Sequence, residues 1–361
     1  MKNPTQTRER ILLHHSTYPL MQIRDLFKFL FQSAFGCEHL VSNEEIAVNY
    51  IRKEYASLPQ SLPTPPDPLD GAYSRVHLSC LGNGLTPETL GKLFCRSAKS
   101  EPTGLHDLQD KISTARDLIR EGLLPFSPEE FESSLAAWAD QNYPPIHHSD
   151  AFRAAYCPAY RVIANEYLPF LPLLERIDTL LQAQNAPAIV AIEGGSASGK
   201  TTLAQLLQDL YGCTVFHMDD FFLRPEQRTP ERFAEVGGNV DRERFLEEVL
   251  IPLRQGQSVQ YRPFDCSTQT LKAPTEISPT HLTVVEGAYS MHPDLSLYYD
   301  LSAFLSIHPS HQRARLLKRN SPAFAKRFLE EWIPLEQSYF TLTHIKDRCS
   351  LTLPIEEASF S

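Results

Sequence analysis

The stretch that most constrains the fold is residues 188–207, AIVAIEGGSASGKTTLAQLL. An apolar run leads into the pattern Gly-x-x-x-x-Gly-Lys-Thr at residues 194–201, and an amphipathic helical pattern follows. Short apolar runs of this kind are typical of buried strands. Small residues let the backbone wrap closely around an anion, and the N–H groups at a helix start point toward it. The stretch therefore predicts a strand, a phosphate-binding loop and a helix, in that order.

The pattern assigns roles to individual residues of this loop. Lys200 is expected to contact the β and γ phosphates of a nucleoside triphosphate, and the hydroxyl of Thr201 to hold Mg²⁺. The cofactors predicted are therefore ATP and Mg²⁺. The alternative is a glycine-rich turn that binds nothing. The residues expected to form the cradle are Gly194, Gly195, Ser196, Ala197, Ser198, Gly199, Lys200, Thr201 and Thr202.

The second half alternates strand-like and helical segments. Strand-like runs are AIVAIE, CTVFHMDD, HLTVVEG and AFLSI, and helices are expected from Lys200, Arg242 and Pro309. Alternation of this kind predicts an α/β fold with a parallel sheet covered by helices, in which ligands bind at the carboxyl ends of the strands. We assign residues 187–361 to this P-loop domain.

The first half has helical character. Five segments carry apolar residues at three- and four-residue spacing: 23–36, 43–58, 86–98, 105–123 and 127–141. The proline-rich segment 58–71 is expected to be a loop, because proline removes backbone donors and clashes within helices. The prediction is a mainly helical domain over residues 1–165. The stretch RVIANEYLPFLPLLERIDTLLQAQNAP is interpreted as a connecting helix, which places a connecting helix or linker at residues 166–186.

Acids end two of the predicted strands of the second half. Asp219 and Asp220 follow one apolar run, and Glu286 follows another. A carboxylate at such a position could accept a proton from an acceptor hydroxyl or hold it for in-line attack. The alternative for the aspartates is a helix N-cap, and for Glu286 a plain turn.

These motifs together resemble the uridine kinase and phosphoribulokinase family. The resemblance runs from Ile189 to about Phe340 through GGSASGKTT, MDDFFLRP, YRPFDCST, VVEGAYS and RARLLKRN, and DDFF and FLSI are also similar to nicotinamide riboside kinase. It implies that Asp219 is the catalytic base and that Glu286 helps to position Mg²⁺ and the acceptor. It places the lid over the triphosphate at HQRARLLKR, with Arg313, Arg315 and Arg319; a solvated basic face is the alternative.

The resemblance also places the acceptor site. The segment YRPFDC implies acceptor contacts by Tyr261, Phe264 and Asp265, and Asp220 is a further candidate. Arg262 adds a cation that could meet a phosphate or carboxylate, which argues against plain uridine as the acceptor; a surface ion pair is the alternative. A GTPase would carry Asn-Lys-x-Asp and an ABC-type ATPase a sequence like LSGGQ, and neither occurs.

Composition limits the partners and the compartment. The formal net charge of −10 and the pI near 5.7 provide no basic footprint for nucleic acid. The seven cysteines are scattered without a Cys-x-x-Cys pair, which favours free thiols in a reducing cytosol. The chain has neither a run of about 18 apolar residues nor a signal-peptide core. A soluble cytoplasmic protein that binds no membrane is therefore expected.

Histidines and tyrosines of the first half are further candidates. Cys37, Glu38 and His39, together with His77, His147, His148 and Ser149, could supply metal ligands, although satisfied or surface histidines are favoured because the spacing matches no known signature. Tyr156, Tyr160 and Arg161 could line a site, although packing is favoured.

The sequence thus predicts an ATP- and Mg²⁺-dependent kinase that phosphorylates a hydroxyl of a small nucleoside-, ribose- or polyol-like molecule. The alternative is a nucleotide-binding sensor in which the P-loop domain switches the helical domain.

Overall fold

The chain is divided into two compact units. The structure, a computed structural model, describes residues 4–37, 43–59, 64–98 and 104–355. The units are Met1–Leu168 and Pro169–Ser361. Their boundary falls near the start of the expected connecting segment 166–186, and the predicted domain limits stay a prediction.

Helices dominate the described part of the first unit, as predicted. The five periodic segments form α2 to α6, and the expected start signals act as caps: the side chains of Thr86 and Ser127 accept hydrogen bonds from the N–H groups of Thr89 and Glu130. The helices are α1 Pro4–Thr17, α2 Ile23–Phe35, α3 Glu44–Ala56, α4 Pro87–Ser97, α5 Gly104–Arg120, α6 Pro128–Ala139 and α7 Asp150–Tyr156. None of the helices in the described residues has both the length and the apolar character needed to span a membrane.

The first unit also contains an antiparallel sheet that the sequence analysis missed. It has the order β1 Asp67–Pro68, β2 Tyr73–His77 and β3 Tyr160–Ala164. The expectation of a helix running through RVIA was wrong, since these residues lie in β3, and the proline-rich segment supplies β1. Because β2 and β3 are far apart in the chain, no local turn signal marks their pairing. A 3₁₀ helix, Asn165–Phe170, follows β3.

A five-stranded parallel sheet forms the centre of the second unit, as predicted. Its order is β12–β11–β4–β10–β5, and every neighbouring pair is parallel. Both β4 and β10 are buried along their whole length, which accounts for their continuous apolar sequences. The strands are β4 Ala188–Gly194, β5 Thr214–His217, β10 Leu282–Glu286, β11 Leu301–Ile307 and β12 Leu351–Ile355; smaller ladders pair β6 Val259–Tyr261 with β9 Thr275–Ile277, and β7 Phe264–Asp265 with β8 Thr270–Leu271.

Helices accompany this sheet, beginning at Lys200, Arg242 and Pro309 as expected. They are α8 Leu171–Ala183, α9 Lys200–Tyr211, α10 Pro230–Ala234, α11 Arg242–Phe245, α12 Ile251–Arg254, α13 Pro309–Arg319, α14 Pro322–Arg327, α15 Ile333–Thr343 and α16 Ile345–Arg348. Single π-helical turns, Leu246–Leu250 and Phe328–Trp332, join α11 to α12 and α14 to α15.

Three neighbouring strands, β4, β10 and β5, end at one edge of the sheet. In the register, Glu286 at the end of β10 pairs with His217 at the end of β5 and with Ile192, two residues before the end of β4. Side chains that follow these strands are therefore brought together at the carboxyl edge, where parallel α/β sheets bind ligands.

Candidate active site

The loop between β4 and α9 has the backbone geometry of an anion cradle. Gly194 has φ +148°, and a Cβ there would lie 2.8 Å from the carbonyl oxygen of Leu305. Gly199 has φ +102° and directly precedes α9, so the loop turns into the helix N-terminus. The ammonium of Lys200 donates to the carbonyl oxygen of Gly195 at 3.0 Å. Backbone N–H groups and a helix dipole thus face a bound anion from one side, and Lys200 adds a full charge.

Glu286 joins the loop to the neighbouring strand. Its Oε1 accepts from the Thr201 hydroxyl at 3.0 Å and lies 2.7 Å from Nδ1 of His217. Burial alone would raise the pKa of Glu286, but the His217 hydrogen bond and the charge of Lys200 outweigh burial and leave this pKa lowered. The same hydrogen bond raises the pKa of His217. Glu286 is therefore an ionised carboxylate next to a hydroxyl, and His217 is a contact that the sequence analysis did not predict.

Thr201 and Glu286 fit the ligand chemistry of Mg²⁺. Magnesium takes oxygen ligands, and protein sites often supply only one or two of them beside substrate phosphates and water. The hydroxyl and the carboxylate lie within 3.0 Å of each other at the start of α9. In the described residues no group of three or more His, Cys, Asp or Glu side chains is arranged to hold a metal ion. A magnesium site here would therefore need the nucleotide as a co-ligand.

Asp219 and Asp220 lie in the 3₁₀ helix Met218–Phe221, directly after β5, and take different positions. Asp219 lines the same cavity as Lys200 and Glu286. Its surroundings raise its pKa, first through desolvation and then through the charges of Glu286 and Asp220, although Lys200 acts in the opposite direction. Asp220 accepts from the hydroxyl of Tyr261 at 3.2 Å. Neither aspartate caps this helix, which has no side-chain cap at its start.

The cations of the predicted lid are only partly brought to the cavity. Arg315 and Arg319 line it, and Lys318 and Arg327 join them, whereas the exposed Arg313 is not among the lining residues. Arg315 also donates to the carbonyl oxygen of Ala197 in the loop, at 3.3 Å. Several positive charges therefore face the place where phosphates would lie. Lys318 and Arg327 were missed, because their side chains reach the cavity from α13 and the following α14.

Two polar side chains from the C-terminal helices hold the loop from outside. The buried carboxylate of Glu336 accepts from the N–H and the hydroxyl of Ser196, at 2.9 and 2.5 Å. The amide of Gln312 donates to the carbonyl oxygen of Ser196 at 2.7 Å. These contacts bridge more than a hundred residues of chain, and no local sequence signal marks them. The peptide groups on both sides of the Ser196 Cα are therefore held by side chains from α13 and α15.

Glu193 is a second functional position that the sequence analysis missed. Its fully buried carboxylate accepts from the N–H groups of Gly194, Tyr289 and Met291, at 2.9 to 3.1 Å. Desolvation raises its pKa to about 7, against the opposing effect of these hydrogen bonds. A lone Glu inside an apolar strand was the available signal. The carboxylate of Glu193 ties the start of the loop to the segment that follows β10.

The predicted acceptor residues are mostly engaged in local structure. Arg262 donates to the carbonyl oxygens of Lys272 and Leu271, at 2.7 and 3.0 Å, so its guanidinium stabilises the β7–β8 hairpin. Asp265 accepts from the N–H and the hydroxyl of Ser267 at the hairpin turn. In the described residues the guanidinium of Arg262 contacts these hairpin carbonyls, and a contact of Arg262 with the acceptor stays a prediction.

Three other side chains, Arg228, Cys266 and Gln269, line the cavity together with Asp219. Phe264 is buried and lies under the guanidinium of Arg228, 5.6 Å from its ring centre, and Arg228 lines the cavity. Cys266 and Gln269 of the hairpin turn line it as well. The cavity has a volume of about 1150 Å³, which is at the upper end for small-ligand sites. It has room for a nucleotide together with a second small molecule.

Among the described residues of the first unit, no group of three or more His, Cys, Asp or Glu side chains is placed to hold a metal ion. His148 contacts Asp25 and the hydroxyl of Tyr160 through its two ring nitrogens. Cys37 is buried, with its Sγ 3.6 Å from the carbonyl oxygen of Phe94. Glu38 and His39 lie outside the described residues.

Comparison with known proteins places the similarity in the second unit. Residues 189–322 match the sequence model of the phosphoribulokinase / uridine kinase family. The resemblance predicted from the motifs is therefore confirmed over this segment.

Two curated relatives have similar sequences. Over 148 residues the chain is 29% identical to uridine kinase-like protein 4 of Arabidopsis thaliana, a match that covers 38% of this chain and 31% of the relative. Over 139 residues it is 28% identical to the uridine kinase of Staphylococcus carnosus (strain TM300), a match that covers 34% of this chain and 66% of that relative. The chain thus spans less than two thirds of the length of either relative.

Solved structures are similar to about half of the chain. A possible uridine kinase from Bacillus stearothermophilus is 23% identical, with a TM-score of 0.38, and the match covers 50% of this chain and 99% of that one. The shikimate kinase of Bacteroides thetaiotaomicron is 14% identical, with a TM-score of 0.23, and the match covers 46% of this chain and 86% of that one.

Proposed function

We propose that this protein is an ATP- and Mg²⁺-dependent kinase that transfers the γ-phosphate to a hydroxyl of a small nucleoside-, ribose- or polyol-like molecule. The observation that carries the proposal is that Asp219 opens onto the same cavity as Lys200, Thr201 and Glu286. A carboxylate, a phosphate cradle and a pair of oxygen ligands are the parts that phosphoryl transfer to an alcohol requires. The match of residues 189–322 to a kinase family supports it.

The roles of the residues follow from their chemistry. The N–H groups of the loop and the Lys200 ammonium bind the β and γ phosphates, and Arg315, Arg319 and their neighbours neutralise charge that develops during transfer. Thr201 and Glu286 would hold Mg²⁺, which would neutralise negative charge on the phosphates.

Asp219 is the proposed base. Its carboxylate accepts the proton of the acceptor hydroxyl while the hydroxyl oxygen attacks the γ-phosphorus, and the bond from phosphorus to the β–γ bridging oxygen breaks to release ADP. Surroundings that raise the pKa of Asp219 make it a stronger base than an ordinary aspartate.

The acceptor is proposed to lie between Asp219 and the β7–β8 hairpin. Arg228, Cys266 and Gln269 line that side of the cavity. Arg262 and Asp265 are held in the hairpin, so we expect them to act on the acceptor only through the hairpin's shape. A guanidinium and an amide are donors suited to the hydroxyls of a polyol or sugar ring.

A panel of nucleosides, sugars, polyols and vitamins, scored for ADP release, tests the proposal. A kinase shows ATP turnover stimulated many-fold by one acceptor, with a phosphorylated product of matching mass. Tight ATP binding without stimulation by any acceptor would instead support the nucleotide sensor.

A variant pair tests the base on the acceptor that the panel identifies. Asp219→Asn is expected to keep ATP binding and to lose roughly 10²- to 10⁴-fold in transfer. Asp220→Asn is the comparison variant: its carboxylate contacts Tyr261 and does not line the cavity, so its loss in transfer should be much smaller than that of Asp219→Asn. Near wild-type transfer by Asp219→Asn would refute the assignment of the base.

A further inference from the structure

The first unit contains a cavity of its own that the proposed phosphoryl transfer does not use. It has a volume of about 940 Å³, and its lining comes from α2, α3, α4, the segment around α7 and β3, all within Met1–Leu168. A cavity of this size takes an organic molecule rather than a single ion.

Positive charge predominates at this cavity. Three cationic side chains, Lys28, Arg153 and Arg161, line it against one carboxylate, Glu54. Arg161 is paired with Glu54 at 2.8 Å, which leaves Lys28 and Arg153 uncompensated by that acid.

Lys28 and Arg153 are held by backbone carbonyls. Lys28 donates to the carbonyl oxygen of Ile146 at 2.9 Å, and Arg153 donates twice to that of His148, at 3.1 and 2.7 Å. The only carboxylate within 4 Å of Arg153 among the described residues is the fully exposed Asp150, at 3.7 Å. Carbonyls orient the two cations without neutralising them.

The cations also repel one another. Burial, followed by the charges of Arg75, Arg153 and Arg24, lowers the pKa of Lys28 to about 8, and Asp25 opposes this only in part. Arg75 is almost fully buried behind the cavity wall, with its guanidinium 4.9 Å from the ring centre of Tyr160. A cluster of this kind is stabilised when an anion enters it.

The floor of the cavity is a fixed hydrogen-bonded chain. Nδ1 of His148 lies 3.0 Å from Oδ1 of Asp25, and Nε2 lies 2.7 Å from the hydroxyl of Tyr160. Burial lowers the pKa of His148 to about 4, so the ring is neutral near pH 7, donates to Asp25 and accepts from Tyr160. The side chains of the floor are thus locked by one another, which reduces the ordering cost of binding.

We propose that this cavity binds a small organic anion, a phosphate or carboxylate group on an apolar body. Lys28 and Arg153 hold the anionic group, because among the described residues no carboxylate forms an ion pair with Lys28, and Arg153 has only the fully exposed Asp150, at 3.7 Å. Ile46, Leu58 and Val162 form an apolar part of the wall that covers the body of the ligand. This gives the first unit a binding role that stands independently of the proposed kinase reaction.

Calorimetric titration of the full-length chain tests the site with three matched probes: phenyl phosphate, benzoate and the neutral benzyl alcohol. The titrations are made in wild type and in Lys200→Ala, so that phosphate binding at the P-loop is recognised by its loss in the second protein. We expect at least one anion to bind Lys200→Ala, and benzyl alcohol to bind at least tenfold more weakly. The ratio of the two anion affinities distinguishes a phosphate from a carboxylate ligand.

Charge-removing variants locate the binding. In the Lys200→Ala background, Lys28→Met and Arg153→Met are each expected to weaken the anion about tenfold, the effect of losing one charge-assisted hydrogen bond. Lys53→Met is the matched control, an exposed lysine of the same unit that does not line the cavity. Absence of anion binding, unchanged affinity in both variants, or equal binding of benzyl alcohol would overturn the proposal.

Labelling of Cys157 supplies a second measurement that needs no ligand. This cysteine is exposed and lines the cavity. An anionic methanethiosulfonate is expected to modify it faster than a cationic one of similar size, as followed by peptide mass spectrometry, and Lys28→Met should reduce the difference several-fold. Each rate is divided by the rate of the same reagent with a free thiol in solution, and equal ratios for the two reagents in wild type would overturn the proposal.

Discussion

Oε1 of Glu286 lies 2.7 Å from Nδ1 of His217 and 3.0 Å from the hydroxyl of Thr201, so one carboxylate oxygen joins two strand ends to the start of α9. The arrangement keeps the carboxylate ionised and aims it at the cavity. It is the structural basis of the proposed magnesium site.

Glu286→Gln is therefore expected to weaken Mg²⁺ more than it weakens the nucleotide. The amide keeps the shape of the side chain but loses the charge that a hard cation requires. We expect the Mg²⁺ concentration for half-maximal ADP release to rise about tenfold or more. His217→Asn, which can keep a donor near Glu286, should change it far less, and equal effects of the two variants would contradict the assignment.

Gly194→Ala should disrupt the cradle. Its φ of +148° is strained for any L side chain, and the new Cβ would meet the Leu305 carbonyl oxygen at 2.8 Å. We expect a loss of about 2 to 5 kcal/mol in the free energy of unfolding, together with weaker ATP binding. Gly212→Ala is the matched control: φ is +63° and nothing lies within 4 Å, so about 1 kcal/mol should be lost and ATP binding kept. Urea unfolding measures the change in the free energy of unfolding, and nucleotide titration measures the change in ATP affinity, for each variant.

Glu336→Gln tests whether the buried carboxylate opposes phosphate binding. Its negative charge lies against Ser196 in the cradle. The amide oxygen can still accept one hydrogen bond from Ser196, while the repulsion of the nucleotide is removed, so ATP should bind about threefold tighter or more. Glu336→Ala, which leaves the Ser196 N–H without this acceptor, should lower the melting temperature instead. Weaker ATP binding by Glu336→Gln would show that the charge positions the loop productively.

The stability of the first unit should decrease as the pH falls from 6.5 to 4. Burial lowers the pKa of His148 to about 4, with Arg75 and Lys28 acting in the same direction and Asp25 opposing them. In the unfolded chain a histidine titrates near pH 6.5. The unfolded state therefore gains a proton in this window that the folded state does not bind, and the free energy of unfolding falls by on the order of 3 kcal/mol. Above pH 6.5 this contribution is fully present.

Urea unfolding at several pH values checks this expectation. In a Trp332→Phe background the fluorescence of Trp138 reports on the first unit alone, because these are the two tryptophans of the chain. His148→Asn, whose amide can still donate to Asp25, should flatten the dependence between pH 6.5 and 4. The same slope in both proteins would contradict it.

Periodicity and short motifs predicted much of the fold. The spacing of apolar residues correctly identified α2 to α6, and the alternation of strands and helices correctly predicted a parallel sheet in the second unit. These signals are local, since a strand buried on both faces or a helix with one apolar face shows its pattern within a few residues. The sheet β1–β2–β3 was missed because its pairing joins residues 73–77 to 160–164 and leaves no local trace.

The residues of the candidate site likewise fall into those that local sequence motifs predicted and those that only the tertiary structure places there. The sequence by itself determined the glycines, Lys200 and Thr201 of the cradle, because the backbone of a phosphate loop tolerates few residue types. Only the tertiary structure decided that Glu336 and Gln312 hold Ser196, that Lys318 and Arg327 face the cavity while Arg313 does not, and that Arg262 serves the hairpin. Those outcomes depend on which helix packs where, and a side chain's partner across more than a hundred residues is set by packing rather than by its neighbours in the chain.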